Sequence, residues 1–362
     1  AVVHQMWPHM KGENLVKLLT VTANKDLPGY AVHTHGQGLL DLDKATQPVG
    51  ATGIPTSGRT NGQISNIATL SGGAGIGNIG SGAFAALSNV MVLDEFERDF
   101  SINLNNTQAI DTRPGGLAEN IAHAGQGSYD GYWNLARAGE IAMPEMMGIS
   151  TSFKMDPEAK SDGDMGVRVG FDAYKDDDTS LKATLGFLKE TEKFLNNVQQ
   201  GYMGVGDTHN TQYAGLNLDH KINNNWFAFG NAQLGYTDVE ASDEFSLVTG
   251  YSGLVSSSWG LGAGYKTKNG FTVSASLSQP LSVMSGSMNY KVPTARTIDG
   301  QVQFNEGSAD ASTMNIEHDL GLSVSYNIDK ISIAGYAEHR NNVAGVAGRD
   351  EVNAGIKFNL KW

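Results

Sequence analysis

The residues of this chain that are best suited to chemistry are a histidine pair and a run of aspartates. His33 and His35 have the spacing of a base with a partner or of two metal ligands, but no nucleophilic serine motif and no third ligand accompany them. Asp176, Asp177 and Asp178 bring three carboxylates together, yet they lack the ligand loop and the glycine that a calcium-binding hand requires. We therefore interpret the histidines as loop residues and the aspartates as a solvated turn.

A glycine-rich stretch and scattered serines complete the candidates. Gly73, Gly75 and Gly77 suggest a phosphate-binding loop, but no hydrophobic strand precedes them and no Lys-Ser/Thr ending follows. Ser57 and the other serines of this stretch lack an activating neighbour. The remaining histidines are dispersed: His4, His9, His123, His209, His220, His318 and His339. The sequence therefore predicts no catalytic, cofactor-binding or metal-binding residue and no cofactor.

Composition narrows the function classes. The 362 residues include no cysteine, so neither disulfides nor thiolate metal sites are expected, and 45 are glycine. A net charge of -13 argues against a nucleic-acid partner held by phosphate neutralisation. No run of 18 apolar residues exists, which excludes a transmembrane helix but not a transmembrane β-barrel, whose lipid face uses every second residue. Because residues 1–8 read like the interior of a longer sequence, we expect a fragment of a precursor.

The elements that position these residues are strands. From Val352 to Trp362, apolar and polar residues alternate without a break, which is typical of a strand with one apolar and one polar face. The same period of two recurs in nine further segments. The ten predicted strands cover residues 149–155, 165–173, 181–187, 214–222, 226–236, 259–265, 271–277, 320–328, 331–333 and 352–362.

The polar face favours a membrane barrel over a soluble sandwich. It is too polar for the dry interior of a sandwich, whereas a water-filled lumen accepts it. The residues predicted to face inward are Arg168, Asp172, Lys182, Gln212, Asn217, Asn231, Gln233, Lys357 and Asn359. Trp226 and Tyr236 lie at opposite ends of one apolar face, where interfacial aromatic girdles are expected, and Trp259, Tyr265 and Trp362 are candidates for the same girdles.

Connection lengths alternate as well. Short turns are predicted at residues 176–178, 223–225 and 268–270 and at Asp329, with longer polar connections at residues 189–208, 238–249, 284–311 and 341–349. This arrangement is typical of membrane barrels, with the C-terminus on the periplasmic, short-turn side. The stretch 284–311 either prolongs a hairpin above the membrane or contains a further strand pair.

The middle of the chain predicts a linker followed by a pore helix. Residues 51–80 have the composition of a flexible spacer, and residues 81–92 show helical spacing with Ser81 as the cap. A strand over residues 96–104 then predicts a plug that joins the barrel wall, with Arg98 snorkelling near the strand end. Since bacterial barrels have even strand numbers, we expect twelve strands, one of them poorly marked between residues 105 and 145.

Two regions carry a family resemblance. Trp7-Pro8-His9, the helix from Leu15 to Ala23, and the stretch from His35 to Gly50 resemble the end of a subtilisin-like (S8 family) serine protease domain. Residues 96–100 (FERDF), 278–283 (SQPLSV) and the terminal strand resemble the translocator of classical autotransporters, especially subtilase autotransporters. The first resemblance covers about the first fifty residues and the second covers residues 81–362.

This resemblance implies a domain order and a function. Residues 1–50 would be the remnant of a subtilisin-like domain (a small α/β unit), residues 51–80 a linker, and residues 81–362 an all-β transmembrane barrel of about twelve antiparallel strands with a lumenal helix over residues 81–92. The chain would translocate or anchor its passenger by type V secretion in the outer membrane of a Gram-negative bacterium, with its N-terminal part at the cell surface or secreted.

The resemblance also implies partners and a parent activity. The partners would be outer-membrane lipid, the chain's own passenger domain and, through the C-terminal strand, the barrel-assembly machinery. The parent would be a serine endopeptidase, but its Asp, His and Ser would precede Ala1, so this chain carries none of them. Translocators of this family can cleave themselves through lumenal acidic and Asn residues, for which Asn78, Asn89 and Asp94 are the candidates.

Two other functions remain open. The first is a self-contained outer-membrane porin or channel, which an empty lumen or a segment 81–91 outside the pore would favour. The second is a soluble extracellular β-sandwich adhesin, in which the apolar faces pack against each other.

Overall fold

The protein is seen here in a computed structural model that describes most of the chain. It covers residues 1–55, 68–69, 75–76, 81–105, 109–110, 139–143, 148–155, 163–191, 193–195, 197–198, 203–206, 208–239, 246–328 and 331–360.

Helices are short and concentrated at the N-terminus. The α-helices are α1 (Val2–Met6), α2 (Gly12–Val21), α3 (Val32–His35) and α4 (Leu42–Thr46), and 3₁₀ helices span Ser81–Leu87 and Val343–Gly345. The first short strands are β1 (Gly53–Ile54), β2 (Ala68–Thr69), β3 (Gly75–Ile76), β4 (Val90–Leu93), β5 (Asp99–Ile102) and β6 (Ala109–Ile110).

Long antiparallel strands dominate the rest of the chain. They are β7 (Gly139–Ala142), β8 (Ile149–Met155), β9 (Met165–Lys175), β10 (Thr179–Thr191), β13 (Thr208–Lys221), β14 (Trp226–Val239), β15 (Val248–Lys266), β16 (Phe271–Arg296), β17 (Val302–Asp310), β18 (His318–Ile328), β19 (Ile331–Asn341) and β20 (Glu351–Leu360), and a two-stranded ribbon, β11 (Lys193–Phe194) with β12 (Asn197–Val198), lies between β10 and β13.

The strands from β7 onward form one continuous sheet, which we call the wall. Eleven strands follow one another in the order β20-β19-β18-β16-β15-β14-β13-β10-β9-β8-β7, and β17 pairs with the far part of β16. All ten segments predicted from the period of two are strands of this wall. Its eleventh strand, β7, is only four residues long and carried no sequence signal.

Between the short turns and the middle of the strands, the wall exposes apolar residues on one face and buries polar residues on the other. Leu185 and Leu261 are 58% and 60% exposed, whereas Gln233 and Ser258, which point to the opposite face, are 4% and 2% exposed. The side chains of Arg168, Asp172, Lys182, Asn217 and Asn231 share that inner face, as predicted. Those of Lys357 and Asn359 lie outside the described part.

One predicted inward residue is wrong. Gln212 is exposed and shares the outer face with Ala214 and Leu216, because an even-numbered position on β13 must follow its even-numbered neighbours. The inner position beside it is held by Tyr213, which is buried.

The short turns are closed by their own side chains. Asp176 Oδ1 accepts from the backbone nitrogens of Asp178 (2.9 Å) and Thr179 (2.6 Å), and Asn223 Oδ1 accepts from those of Asn225 and Trp226 (2.9 Å each). This confirms the prediction of a solvated turn at the three aspartates. We call this end of the wall the turn end and the opposite end the loop end; Asp329 lies outside the described residues.

Strands β15 and β16 continue beyond the loop end. β16 has 26 residues, more than twice the 9–11 that a tilted strand needs to cross a bilayer. Its first half pairs with β18, and its second half pairs with β17 from Ser287–Asp310 to Arg296–Val302. The stretch 284–311 therefore prolongs a hairpin, which was one of the two predicted alternatives. We call the part of β15, β16 and β17 above the wall the protruding hairpin.

The two edges of the wall, β7 and β20, are not paired with each other in the described part of the chain. Since all neighbours along the eleven-strand path are antiparallel, β7 and β20 run in the same direction.

The segment predicted as a pore helix is folded differently. A 3₁₀ helix ends at Leu87, and Val90–Leu93 form strand β4, which pairs with β5 and with β1 in a four-stranded sheet of order β2-β1-β4-β5. The helix predicted over residues 81–92 is present as a 3₁₀ helix over residues 81–87 only, and the strand predicted to follow it pairs in this sheet instead of in the wall. The run Val90-Met91-Val92-Leu93 is buried at all four positions and therefore carries no strand period. We call this sheet with its 3₁₀ helix the cap.

The N-terminal unit, residues 1–50, is helical. It contains α1 to α4 and one isolated bridge between Asn24 and Leu39, so the expected α/β remnant has no regular strand here. Leu18 is fully buried and Leu15 and Leu19 partly so, as the helix over this region predicted. Residues 51–80 were predicted to be a linker, and the described residues of this range form three short strands: Gly53–Ile54 (β1), Ala68–Thr69 (β2) and Gly75–Ile76 (β3).

Candidate functional site

The inner face of the wall carries a continuous row of polar residues. Strand register sets nine residues on nine successive strands directly opposite one another, and we call them the polar row: Asp172, Lys182, Asn217, Asn231, Gly260, Ser278, Asp319, Arg340 and Glu351. The absence of a side chain at Gly260 leaves room for the amide of Asn231, whose Oδ1 would lie 2.6 Å from an added Cβ. The row follows from the pairing register, since each strand contributes an inward position that lies directly opposite that of the next strand.

One end of the polar row is a charged cluster around Arg340. Its guanidinium donates to Glu317 Oε1 from Nε (2.8 Å) and Nη2 (2.5 Å), and lies 3.8 Å from Asp319 and 3.5 Å from Glu351. Glu351 also pairs with Arg349 at 3.0 Å. Buried charges are tolerated when they are paired in this way, so the inner face is a polar surface that a dry core would not contain.

At the other end of the row, Asp172 lies between two lysines. Its carboxylate is 3.3 Å from Lys175 Nζ and 3.8 Å from Lys182 Nζ. The row therefore ends in opposite-charge groups on both sides, with amides and a hydroxyl between them.

Aromatic rings on the inner face cover glycines of neighbouring strands. The ring of Phe229 lies over Gly262 and that of Phe227 over Gly264, so that a Cβ at either glycine would overlap the ring. Tyr213 covers Gly186 and Tyr336 covers Gly355 in the same way. These four pairs occupy inward positions where a larger neighbour would leave no space for the ring.

On the exposed face, aromatic residues gather near the turn end. The rings of Trp226 and Tyr265 are 5.1 Å apart in an edge-on arrangement, and Phe271 lies opposite Tyr326 on the adjacent strands. Tyr236 lies ten positions along β14 from Trp226, as predicted for two girdles. Ten residues at about 3.4 Å each, tilted by about 40°, span about 26 Å, close to the height of a barrel's apolar band. Trp362 lies outside the described residues.

Above the polar row, the interior changes from polar to apolar. The 3₁₀ helix of the cap inserts Phe84 and Leu87 into a core built with Val283, Met288 and Val292 of the protruding hairpin. The helix therefore lies at the loop end beside β16 and β17 rather than along the polar row.

A fully buried ion pair organises the turn between β4 and β5. Arg98 donates to Asp94 Oδ2 from Nε (3.0 Å) and Nη2 (2.7 Å), and Asp94 Oδ1 accepts from the backbone of Phe96 and of Arg98 itself. The prediction that Arg98 snorkels at a strand end is wrong, because both side chains are inaccessible to solvent. The spacing Asp94-x-x-x-Arg98 could have indicated an ion pair. The two residues lie on either side of a turn, however, so the strand pattern did not show that they meet.

The same turn holds the N-terminal unit. Arg98 donates from Nη1 to the carbonyl of Ala45 (2.5 Å) and from Nη2 to that of Gln47 (2.7 Å), while Asp94 Oδ2 accepts from the backbone nitrogen of Val49 (3.1 Å). Arg98 thus binds carbonyls at the C-terminal end of α4, where a positive charge is favourable.

A second contact links the segment after α1 to the protruding hairpin. Arg296, at the end of β16, donates from Nη1 to His9 Nε2 (3.0 Å) and to the carbonyl oxygen of Glu97. Burial and the adjacent guanidinium lower the pKa of His9 below its usual 6.5. They outweigh the backbone carbonyl of Glu97, 3.3 Å from Nε2, and the carboxylates of Asp99 and Glu97, which act in the opposite direction. The indole of Trp7 donates to the carbonyl of Asp99 at 3.3 Å.

The remaining sequence candidates are not brought together. His35 Nδ1 accepts from the backbone nitrogen of Ala31 at 3.2 Å, in the short helix that it shares with His33. Asn89 accepts from the Ser101 hydroxyl, and both oxygens of Asp94 are engaged as described above. Asn78, Ser57, Gly73 and Gly77 lie outside the described residues.

Two further facts concern the described part as a whole. No cluster of His, Asp and Glu in it has the arrangement of a metal site. None of its helices is both long and apolar enough to cross a membrane.

The pairings and the two faces of the wall define a predominantly antiparallel β protein with a polar inner face and an apolar outer face. No protein-family model matches the chain, and no curated protein matches it either. Among solved structures, the chain is similar to one described as outer-membrane expressed OmpT of Vibrio cholerae, at 9% identity and a TM-score of 0.38, over 65% of this chain and 72% of that chain.

Proposed function

We propose that the chain is an outer-membrane β-barrel that anchors and translocates an N-terminal passenger. The observation that carries this proposal is the inverted wall. Leucines and aromatic residues are exposed on one face while amides, hydroxyls and paired charges are buried on the other, which suits a wall between hydrocarbon and a hydrated lumen.

Closure is part of this proposal. An open sheet edge leaves backbone groups unsatisfied, and in a membrane these groups cannot bond to water. Because β7 and β20 run in the same direction, closure takes either a parallel seam between them or one further strand, and the second alternative gives the even number usual for bacterial barrels.

We also propose that the chain is an autotransporter of the subtilase group. This assignment is supported by the residues of the sequence resemblance and by the domain order, with a helical N-terminal unit docked outside the loop end of the wall. In this proposal residues 1–50 are the end of a protease passenger, whose catalytic residues are not in this chain.

One charge substitution and its matched control test whether the outer face contacts lipid. Leu261 lies on β15 midway between the two girdles and is 60% exposed, whereas Leu40 of the N-terminal unit is 61% exposed. In lipid, Leu261→Arg is expected to destabilise the folded chain by about 2–4 kcal/mol. Leu40→Arg faces water and is expected to stay within about 0.5 kcal/mol.

The free energy of unfolding is measured by urea titration of the chain in lipid vesicles. The unfolded fraction is monitored by its slower migration in unheated SDS gels. Equal, small effects of both substitutions, or a folded chain that stays in buffer without detergent, would contradict the membrane proposal and favour the soluble adhesin.

A porin is the second candidate, because one observation favours it. The segment 81–91 was expected in the pore if the chain is a translocator, but its 3₁₀ helix lies at the loop end against β16 and β17. A channel with the cap as a partial cover is consistent with this position.

A further inference from the structure

The contacts of the N-terminal unit suggest a docking surface that does not depend on the connection through residues 56–80. We propose that the β4–β5 hairpin, together with Arg296, binds residues 1–55 tightly enough to retain them on the barrel after the chain is cut in that connection. This inference deepens the proposed function, on which it rests for the identity of the barrel, and it makes the occupant of the surface the chain's own N-terminal segment.

The first component of this surface is apolar. Trp7, Leu18 and Ala45 of the N-terminal unit are buried in one cluster with Phe96 of the hairpin, and Phe100 packs against it. The rings of Trp7 and Phe100 are 5.4 Å apart, and the guanidinium of Arg98 lies 4.7 Å from the Trp7 ring. A buried aromatic and arginine centre is the composition that carries most of the free energy in protein interfaces.

The second component is charge-assisted hydrogen bonding from the barrel side to main-chain groups of the N-terminal unit. Arg98 binds the carbonyls of Ala45 and Gln47, and Asp94 binds the nitrogen of Val49. These side chains and main-chain groups are buried in the contact. If the N-terminal unit leaves, they lose their hydrogen-bond partners until water replaces them.

The third component is strand addition. β1 lies between β2 and β4, both of which follow the proposed cut site in sequence, with Gly53 opposite Thr69 on one side and Leu93 on the other. Ile54 of β1 is fully buried in the core that the cap shares with the protruding hairpin. A cut after residue 55 therefore leaves a strand that stays paired on both edges.

The test uses the full chain in detergent micelles, with a recognition sequence for a site-specific protease inserted after Ser57. After complete cleavage, the N-terminal fragment is expected to co-elute with the barrel in size-exclusion chromatography. The barrel itself is monitored by its migration in unheated SDS gels, so loss of the fragment is distinguished from unfolding of the barrel.

Two substitutions and a matched control locate the surface. Arg296→Ala removes the bonds to His9 and to Glu97, and Arg98→Leu removes those to α4; each is expected to speed dissociation of the cut fragment by at least about tenfold. Lys291→Ala removes a positive charge from the same strand, where its ammonium pairs with the exposed Glu306, and is expected to leave the rate unchanged.

Loss of the fragment from the cut, otherwise unmodified chain while the barrel stays folded would overturn the inference and leave the proposed function intact. Equal dissociation rates for Arg296→Ala, Arg98→Leu and Lys291→Ala would also overturn it. A chain that needs no detergent would instead contradict the proposed function.

Discussion

We expect the strength of the N-terminal contact to depend on pH through a single residue, His9. His9 Nε2 accepts a hydrogen bond from Arg296, which requires that nitrogen to be unprotonated. Burial and the guanidinium lower the pKa of His9 in the folded chain, so the unfolded segment binds a proton more readily than the folded one.

Docking is therefore expected to weaken as the pH falls. The contribution of His9 to docking is fully present above its unfolded pKa of 6.5 and is lost as pH falls through the lower, folded pKa. We expect the amides of residues 2–21 to lose hydrogen-exchange protection, after correction for intrinsic rates, between pH 7 and pH 5.

His9→Gln keeps a neutral acceptor at all pH values and is expected to abolish this loss of protection. His33→Gln changes an exposed histidine of the same unit and is expected to retain it. Unchanged protection of the unsubstituted chain across this pH range would contradict the role of His9.

At the scale of the strand, the glycines beneath aromatic rings determine how closely neighbouring strands fit. Phe229 occupies the space above Gly262, so Gly262→Ala must displace the ring. Because overpacking typically costs about 1–3 kcal/mol, we expect this substitution to lower stability in lipid vesicles by that amount and to slow folding into them.

Gly335→Ala is the matched control on β19. A Cβ at Gly335 meets no other atom within 4 Å, so we expect a neutral or slightly stabilising effect. Urea titrations of both variants in the same vesicles measure the difference, and equal effects would show that the ring has no fixed position over Gly262.

Some strands could be predicted from the sequence and others could not. The ten strands with one buried and one exposed face were predictable, because a period of two records the two environments directly. Val90–Leu93 were not, because a strand buried on both faces has no period, and β7 was too short to show one. The cluster around Arg340 shows an inward alternation at Glu338 and Arg340, but its partner Glu317 lies before β18 and is brought close only by the fold.

For the whole molecule, the position of the cap separates the two proposed functions. The cap and the protruding hairpin share an apolar core above the polar row. If this core closes the loop end, as we expect for an anchored passenger, the full chain in a planar bilayer conducts little current at moderate voltage.

A stable, open conductance of the same chain would favour the porin. The control is Phe84→Asp, which places a charge in the core beside Leu87 and is expected to destabilise the cap and raise the conductance. No change of conductance in this variant would contradict a closing role of the cap.

The sequence by itself determined the local features of this protein: ten strands of the wall, the alternation of two faces along each of them, and the polar turns at one end. It could do so because backbone geometry and the period of two act over a few neighbouring residues. Only the tertiary structure decided which inward residues meet in the polar row, that Arg98 pairs with Asp94 and binds α4, and that residues 81–93 cap the loop end. Those outcomes depend on burial against segments up to 287 positions away, as for Arg296 and His9, and no local pattern records such contacts.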